Sequence, residues 1–441
     1  MTFLIGLAKR GKRIIKRLLK RYTKVYLSQV RRIERVKTAE RVVAMTFDDG
    51  PCAEPPSPDA GGAASLTGRI LDKLAEFGAR GTFNVVGDTS ENYPDEKGAD
   101  GTPYWSGTRF DHYPSFGADA LGGAKNQPEL IRRMLAEGHE ISSHGYRHII
   151  FGESKSVYGK RESLGAFDAA VADLQRLHGL MEREYGCTLT LHRPPHYVDK
   201  LADGTTSYDV CEKLGYQYVG ASFDGCDWLP LAAGYEAEVR HTRSGLAALL
   251  ERDPDALCGQ IIFSKDGFNM AHRSPVADGL ALQLETLSRY GYRVVTVTEL
   301  LRFSPLADLD ASDALFGTVC ELLNAGRTVA FADNTIRLAQ TLTRGELLLM
   351  FAEDAAARRV ALIKSGKRAA HDVPATHPYS GAVGWAAGRG LLPRDGRARP
   401  GKPADYALLD RILAARGNPP TGKSGRLSRA AALTVLSSVT A

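Results

Sequence analysis

The sequence predicts an α/β protein: an irregular (β/α)7 barrel of parallel strands, followed by a smaller all-α domain of helical repeats. Three observations carry this expectation. Between residues 41 and 302, strand-like apolar runs alternate with helical patterns. The chemistry-bearing residues cluster just after those runs, where a parallel barrel presents its active site. From 303 to 441 the strand patterns cease and the composition turns to Ala, Leu and Arg.

The strand runs fall at 41–47, 81–86, 139–143, 188–192, 216–221, 259–263 and 292–297, each short and rich in apolar residues. Helical periodicity occupies 66–78, 127–137, 163–185, 207–214, 243–251 and 275–289. A stretch rich in Gly, Asp and Tyr over 87–125 interrupts the second unit and is long enough to wall a substrate groove. The organisation expected is therefore 1–40, 41–302 and 303–441. The last segment carries a weak internal repeat. Asp333-Asn334-Thr335-Ile336-Arg337 precedes Thr343-Arg344-Gly345-Glu346, and Asp372-Val373-Pro374 leads through Trp385 and Gly390-Leu391-Leu392 to a helix from Asp405. Leu427-Ser428-Arg429-Ala430 reads as a partial third copy. Helix–loop–helix units that bury faces against one another fit this period.

With 441 residues, 43% apolar and 24% charged, the chain can bury large cores, and wholesale disorder is excluded. The overall charge of +6 is uneven. Residues 1–40 hold 13 Lys and Arg against Glu34 and Glu40, a net of +11, which leaves −5 for the rest. Within 9–26, Ile15, Leu18, Leu19, Tyr22 and Tyr26 share a face opposite paired basic residues. This fits either an interfacial helix on anionic lipid or a solvated charged lead-in. No reading module for nucleic acid accompanies it, so no nucleic-acid partner is expected. No run is apolar and long enough to span a bilayer, and no cleavable signal is visible. The six cysteines lie far apart without a CxxC pair, which argues against a disulfide scaffold or a thiolate zinc site.

Thr46-Phe47-Asp48-Asp49-Gly50-Pro51 ends the buried run Val42-Val43-Ala44-Met45, and His144-Gly145-Tyr146-Arg147-His148 follows the run at 139–143. A carboxylate and two imidazoles suit a divalent metal such as zinc and leave a coordination position for water. The second carboxylate is then available as a base. If the second segment turns helically, its two imidazoles point the same way.

The chain resembles the polysaccharide deacetylase family (NodB-homology domain, carbohydrate esterase family 4) over 41–300. Thr46–Pro51 corresponds to the family's first motif and His144–His148 to its second, with Gly145 where Ser or Thr is usual. Arg193-Pro194-Pro195 and Asp224-Gly225-Cys226-Asp227-Trp228 match the third and fourth. The resemblance implies that Asp49, His144 and His148 hold a divalent metal, expected to be Zn2+. Asp48 is then the base, Arg193 its orienting partner, and Asp227 the support of Arg193. The His196 backbone N–H would stabilise the oxyanion, and Trp228 would wall the acetyl pocket. The bland readings of these residues are a structural Arg193–Asp227 ion pair and a core Trp228. The fifth motif departs, because Ile261-Ile262-Phe263-Ser264-Lys265-Asp266 places Lys265 where the family has a histidine acid. Lys265, or His272 further on, is then the candidate proton donor.

The C-terminal repeats resemble surface-layer homology repeats, which implies attachment to a cell-wall polymer; a plain helical accessory domain is the other reading. The function implied is a metal-dependent hydrolase that removes N-acetyl groups from an N-acetylated glycan. Two alternatives remain open: an O-acetyl esterase, whose leaving group needs less acid assistance, and a catalytically weak glycan- or wall-binding protein. The expected location is the cell surface or a membrane-associated position.

Overall fold

The computed structural model describes residues 27–28, 30–56, 65–88, 121–152, 163–269, 271, 273–327 and 329–439. The helical pattern over 9–26, most of the 87–125 insertion and His272 lie outside the described residues. The chain divides into two compact units, one of residues 33–311 and one that joins 1–32 to 312–441. Sequence composition placed these boundaries at 40/41 and 302/303.

The strands are β1 (Arg32–Ile33, which begins at the unit boundary) and, within the larger unit, β2 (Val42–Asp48), β3 (Thr82–Val85), β4 (Glu140–Ser143), β5 (Leu191–His192), β6 (Gln217–Val219), β7 (Phe223–Asp224), β8 (Ile261–Lys265) and β9 (Arg293–Val295). Their order is β1-β6-β5-β4-β3-β2-β8-β7, with β9 also on β2, and the pairings from β2 to β9 are parallel. The result is a parallel half-barrel flanked by helices, consistent with the irregular (β/α)7 barrel expected. The run at 216–221 breaks after Val219, where the Gly220 N–H bonds to the Ile33 carbonyl, and the chain resumes as the two-residue β7 beside β8. Ladders this short leave the sheet open between its β1 and β7 ends among the described residues.

Seven consecutive buried residues in β2 show why this run is uniformly apolar up to Thr46: neighbouring strands and helices cover both of its faces. The flanking helices are α1 (Leu66–Glu76), α2 (Pro128–Ala136), α3 (Phe167–Tyr185), α4 (Ser207–Leu214), α5 (Tyr235–Arg252), α6 (Val276–Arg289) and the single turn α7 (Val297–Leu300). Their ends follow local chemistry. Ser65 caps α1, a reciprocal Thr206–Asp209 box opens α4, and left-handed Gly186 and Gly215 close α3 and α4. α5 begins eight residues before the 243–251 pattern, because its first half buries only the polar Glu238 and Thr242 and carries no apolar stripe.

The second unit contains α8 (Phe316–Asn324), α9 (Arg344–Phe351), α10 (Ala355–Ser365), α11 (Ser380–Gly388), α12 (Tyr406–Ala414) and α13 (Arg429–Ser438). Thr343, Asp405 and Ser428 cap α9, α12 and α13 with their side chains. The residues just before these caps close a ring of backbone hydrogen bonds. Ala404 donates to Leu342 (2.8 Å), Leu342 to Leu427 (3.2 Å), and Leu427 to Ala404 (3.0 Å). All three residues are buried. Two loops also share one geometry. Asp333 pairs with left-handed Arg337, Asp395 pairs with left-handed Arg399, and each aspartate accepts a backbone N–H two residues on. Residues 27–32 belong to this unit: Ser28 and Arg32 donate to the carbonyls of Ala330 and Ala332.

Candidate metal centre and its base

The end of β2 is bent so that adjacent carboxylates face different partners. Asp49 takes a left-handed backbone (φ 85°). Gly50 is required beside it, because a Cβ there would lie 1.8 Å from Asp266 Oδ2. Asp266 is itself held, donating its N–H to the Asp48 carbonyl (2.6 Å) and accepting from the Thr67 hydroxyl (2.6 Å). Burial drives its carboxyl pKa well above the usual range.

The 144–148 segment does not turn helically. It leaves β4 as an irregular bend with Gly145 at φ 87° and His148 at φ 56°. A Cβ at Gly145 would sit 3.2 Å from Asp173 Oδ2 in a backbone region that side chains disfavour, which accounts for glycine at this position. Asp173, on α3, fastens this bend by accepting the Tyr146 N–H (2.8 Å) and the Arg147 Nε–H (2.9 Å). Sequence reasoning missed Asp173, and a buried acid on an otherwise apolar helix face was the available signal.

These two turns bring the Nε2 atoms of His144 and His148 to 3.2 and 3.1 Å from Asp49 Oδ1, with all three residues buried. His144 Nδ1 lies 2.7 Å from the Arg193 carbonyl, which can only accept, so that nitrogen carries the proton and Nε2 presents a lone pair. A lone pair and a carboxylate oxygen repel at this separation unless a cation or a further proton lies between them. Two imidazoles and one carboxylate are also the borderline donor set that suits zinc. The residues therefore fit a divalent metal.

Asp48 faces the other way. Its Oδ1 accepts from Arg193 (2.5 Å) and from the Asn84 amide (2.6 Å), while Oδ2 is 3.9 Å from His144 Nε2. Arg193 is fully buried and also donates to Thr46 Oγ1 (2.9 Å), the Val219 carbonyl (3.2 Å) and the Gly220 carbonyl (2.8 Å). Burial works against its charge, but Asp48, Tyr197 and Tyr218 outweigh that and raise its pKa. Asn84 is a second residue missed from sequence; parallel register puts it directly beside Asp48 on β3.

Asp227 does not support Arg193. Its Oδ2 accepts the Lys265 backbone N–H (2.9 Å), and its Oδ1 has no hydrogen-bond partner. Arg193 gives four of its five N–H donors to Asp48, Thr46 and two carbonyls, while Asp227 pins the end of β8. Burial pushes the Asp227 carboxyl up to about 7. Lys265, in register with Asp48, is buried and its ammonium bonds Asp49 Oδ2. His196 has a left-handed backbone (φ 54°) and sets its ring edge-to-face against His148 at 5.5 Å. Trp228 is half-buried and donates from Nε1 to Asp224 Oδ2 (3.2 Å).

The profile of the polysaccharide deacetylase family matches residues 35–219. Among curated proteins, the chain is 26% identical over 271 residues to a peptidoglycan-N-acetylglucosamine deacetylase of Bacillus cereus, covering 61% of this chain and 92% of that protein. It is 24% identical over 276 residues to the enzyme of the same name from Listeria monocytogenes, covering 62% of this chain but 41% of the other. A solved chitin deacetylase of Colletotrichum lindemuthianum aligns at 20% identity with a TM-score of 0.41, covering 65% of this chain and 95% of that one. Over residues 35–219 the chain is thus similar to the polysaccharide deacetylase family.

Proposed function

We propose that the protein is a metal-dependent glycan deacetylase that cleaves the C–N bond of N-acetylated sugars, with a wall polymer of the peptidoglycan class as substrate. The observation that supports it most is the convergence of Asp49, His144 and His148 beside an Asp48 already held by Arg193 and Asn84. A divalent ion in this donor set, with zinc the best fit, supplies Lewis acidity toward the acetyl oxygen and toward water. Asp48 then takes the proton from the attacking water through Oδ2, because Oδ1 is committed to Arg193 and Asn84. The left-handed turn at His196 offers its backbone N–H to the developing oxyanion. The wall for the acetyl group is assigned to Trp228, and Lys265 is the candidate donor to the leaving amine.

Release of acetate from N-acetylated oligosaccharides, with and without added zinc, tests this reading. Zinc-dependent acetate is expected, and its absence on every N-acetylated oligomer would overturn it. Lys265 also favours a second reading, an O-acetyl esterase, since an alkoxide or phenolate leaving group demands less acid help. Lys265→Ala is expected to slow amide substrates far more than activated esters. Equal slowing of both would remove Lys265 as the acid.

The C-terminal unit extends the proposal to location. Its ring of caps and its duplicated Asp–Arg loops support a surface-layer-homology-like repeat that holds a cell-wall polymer, and the +11 segment at 1–40 supports contact with anionic membrane. Among the described residues no helix is long and apolar enough to cross a membrane. Sedimentation with purified wall sacculi and with anionic vesicles separates the two attachments.

A further inference from the structure

We propose that Lys265 is a built-in competitor of the divalent cation, exchanging its ammonium between Asp49 and Asp227 as the site fills and empties. The inference rests on Asp49, His144 and His148 being the cation site. Asp49 is shared between two claimants: Oδ1 faces both imidazole Nε2 atoms, while Oδ2 holds the Lys265 ammonium. A dication at Oδ1 therefore arrives beside a positive charge, in a buried pocket where water screens little. Loading the site favours moving that ammonium away.

The structure contains a place for it to go. Asp227 is buried, and one of its carboxylate oxygens is already fixed to the Lys265 backbone N–H at 2.9 Å. The other oxygen, Oδ1, has no partner. Buried carboxylate oxygens are rarely left unsatisfied, and one held next to a lysine on the same strand end is accounted for if the lysine uses it part of the time. A flexible four-carbon stem lets the charge exchange between the carboxylate that it already bonds and one fixed to its own backbone N–H. The empty site then keeps Lys265 on Asp49 in place of the metal, and the loaded site keeps it on Asp227. Cation affinity is set by this exchange as well as by the three ligands.

The test is a zinc titration of the metal-stripped full chain at pH 8, in competition with a fluorescent chelator and without any turnover readout. Lys265→Met is expected to bind zinc more tightly than wild type by about tenfold or more, the scale of removing one buried like charge. Lys265→Gln, which keeps length without charge, is expected to do the same and stands in if the methionine variant does not fold. Asp227→Asn is expected to weaken zinc binding in the wild-type background and to leave it unchanged in the Lys265→Met background. Wild-type or weaker affinity in both lysine variants would overturn the competition while leaving the ligand site intact. Zinc binding that persists in His144→Ala would show instead that the ion sits elsewhere, and the ligand assignment would fail with it.

Discussion

Each of the two units buries an arginine, and the two are treated differently. Arg193, in the sheet unit, donates to a carboxylate, a hydroxyl and two carbonyls, and its neighbours raise its pKa. Arg429, at the start of α13 in the helical unit, is just as buried. Its guanidinium stacks 4.2 Å over Phe331 and approaches Glu346 at 3.3 Å, but no nitrogen makes a hydrogen bond of good geometry, and burial lowers its pKa. Glu346 meanwhile satisfies itself by accepting the Thr343 N–H in a capping box. A buried charge is therefore not a site in itself. It becomes one where its partners leave a neighbouring group aimed at an ion or a substrate, as Arg193 leaves Asp48 Oδ2.

The contrast makes graded predictions. Arg193→Met strands a buried Asp48, so chemical denaturation is expected to show a loss of about 3–5 kcal/mol together with loss of acetate release. A loss below about 1 kcal/mol would mean that the Arg193 network is dispensable. Asp48→Asn keeps the shape and the Asp49 ligand, so zinc content by mass spectrometry should hold while the rate falls by roughly 10²–10⁴. Loss of zinc in that variant would show the two aspartates in reversed roles.

The third prediction concerns pH. Asp227 is held near 7 in the folded state, far above its ordinary value. The folded state therefore keeps a proton that the unfolded chain releases at about pH 4. Its contribution to stability is present at low pH and is lost as pH rises through about 4 to 7. Melting temperatures of Asp227→Asn and wild type should accordingly diverge over that window, in favour of the variant at higher pH. Parallel curves would contradict the shift. The smallest effect is expected at the other arginine. Arg429→Met keeps an apolar side chain over Phe331 and leaves Glu346 accepting the Thr343 N–H, so it should change stability by within about 1 kcal/mol in either direction. A loss as large as that of Arg193→Met would erase the distinction between the two units.

Much of the site was legible because chemistry and local chain direction coincide at the strand ends. Asp48, Asp49, His144, His148 and Arg193 sit in short strings that follow apolar runs, and the structure gathers them. Asn84 and Asp173 were not legible. The first matters through its register beside β2, and the second reaches the 144–148 bend from a helix that starts more than twenty residues later.

Sequence alone determined the alternation of strands and helices, the short strings that carry the proposed ligand and base residues, and the change to helices beyond 303, because these depend on residue type and short-range periodicity. It also marked Lys265 as the point of departure from the family. Only the tertiary structure decided where the sheet stays open, that residues 27–32 belong with the helical unit, and that Asp227 serves β8 instead of Arg193. Those outcomes turn on which donors reach which acceptors across long stretches of chain. The Arg193 guanidinium directs four of its five donors to Asp48, Thr46 and two carbonyls, and Asp227 instead accepts the Lys265 backbone N–H.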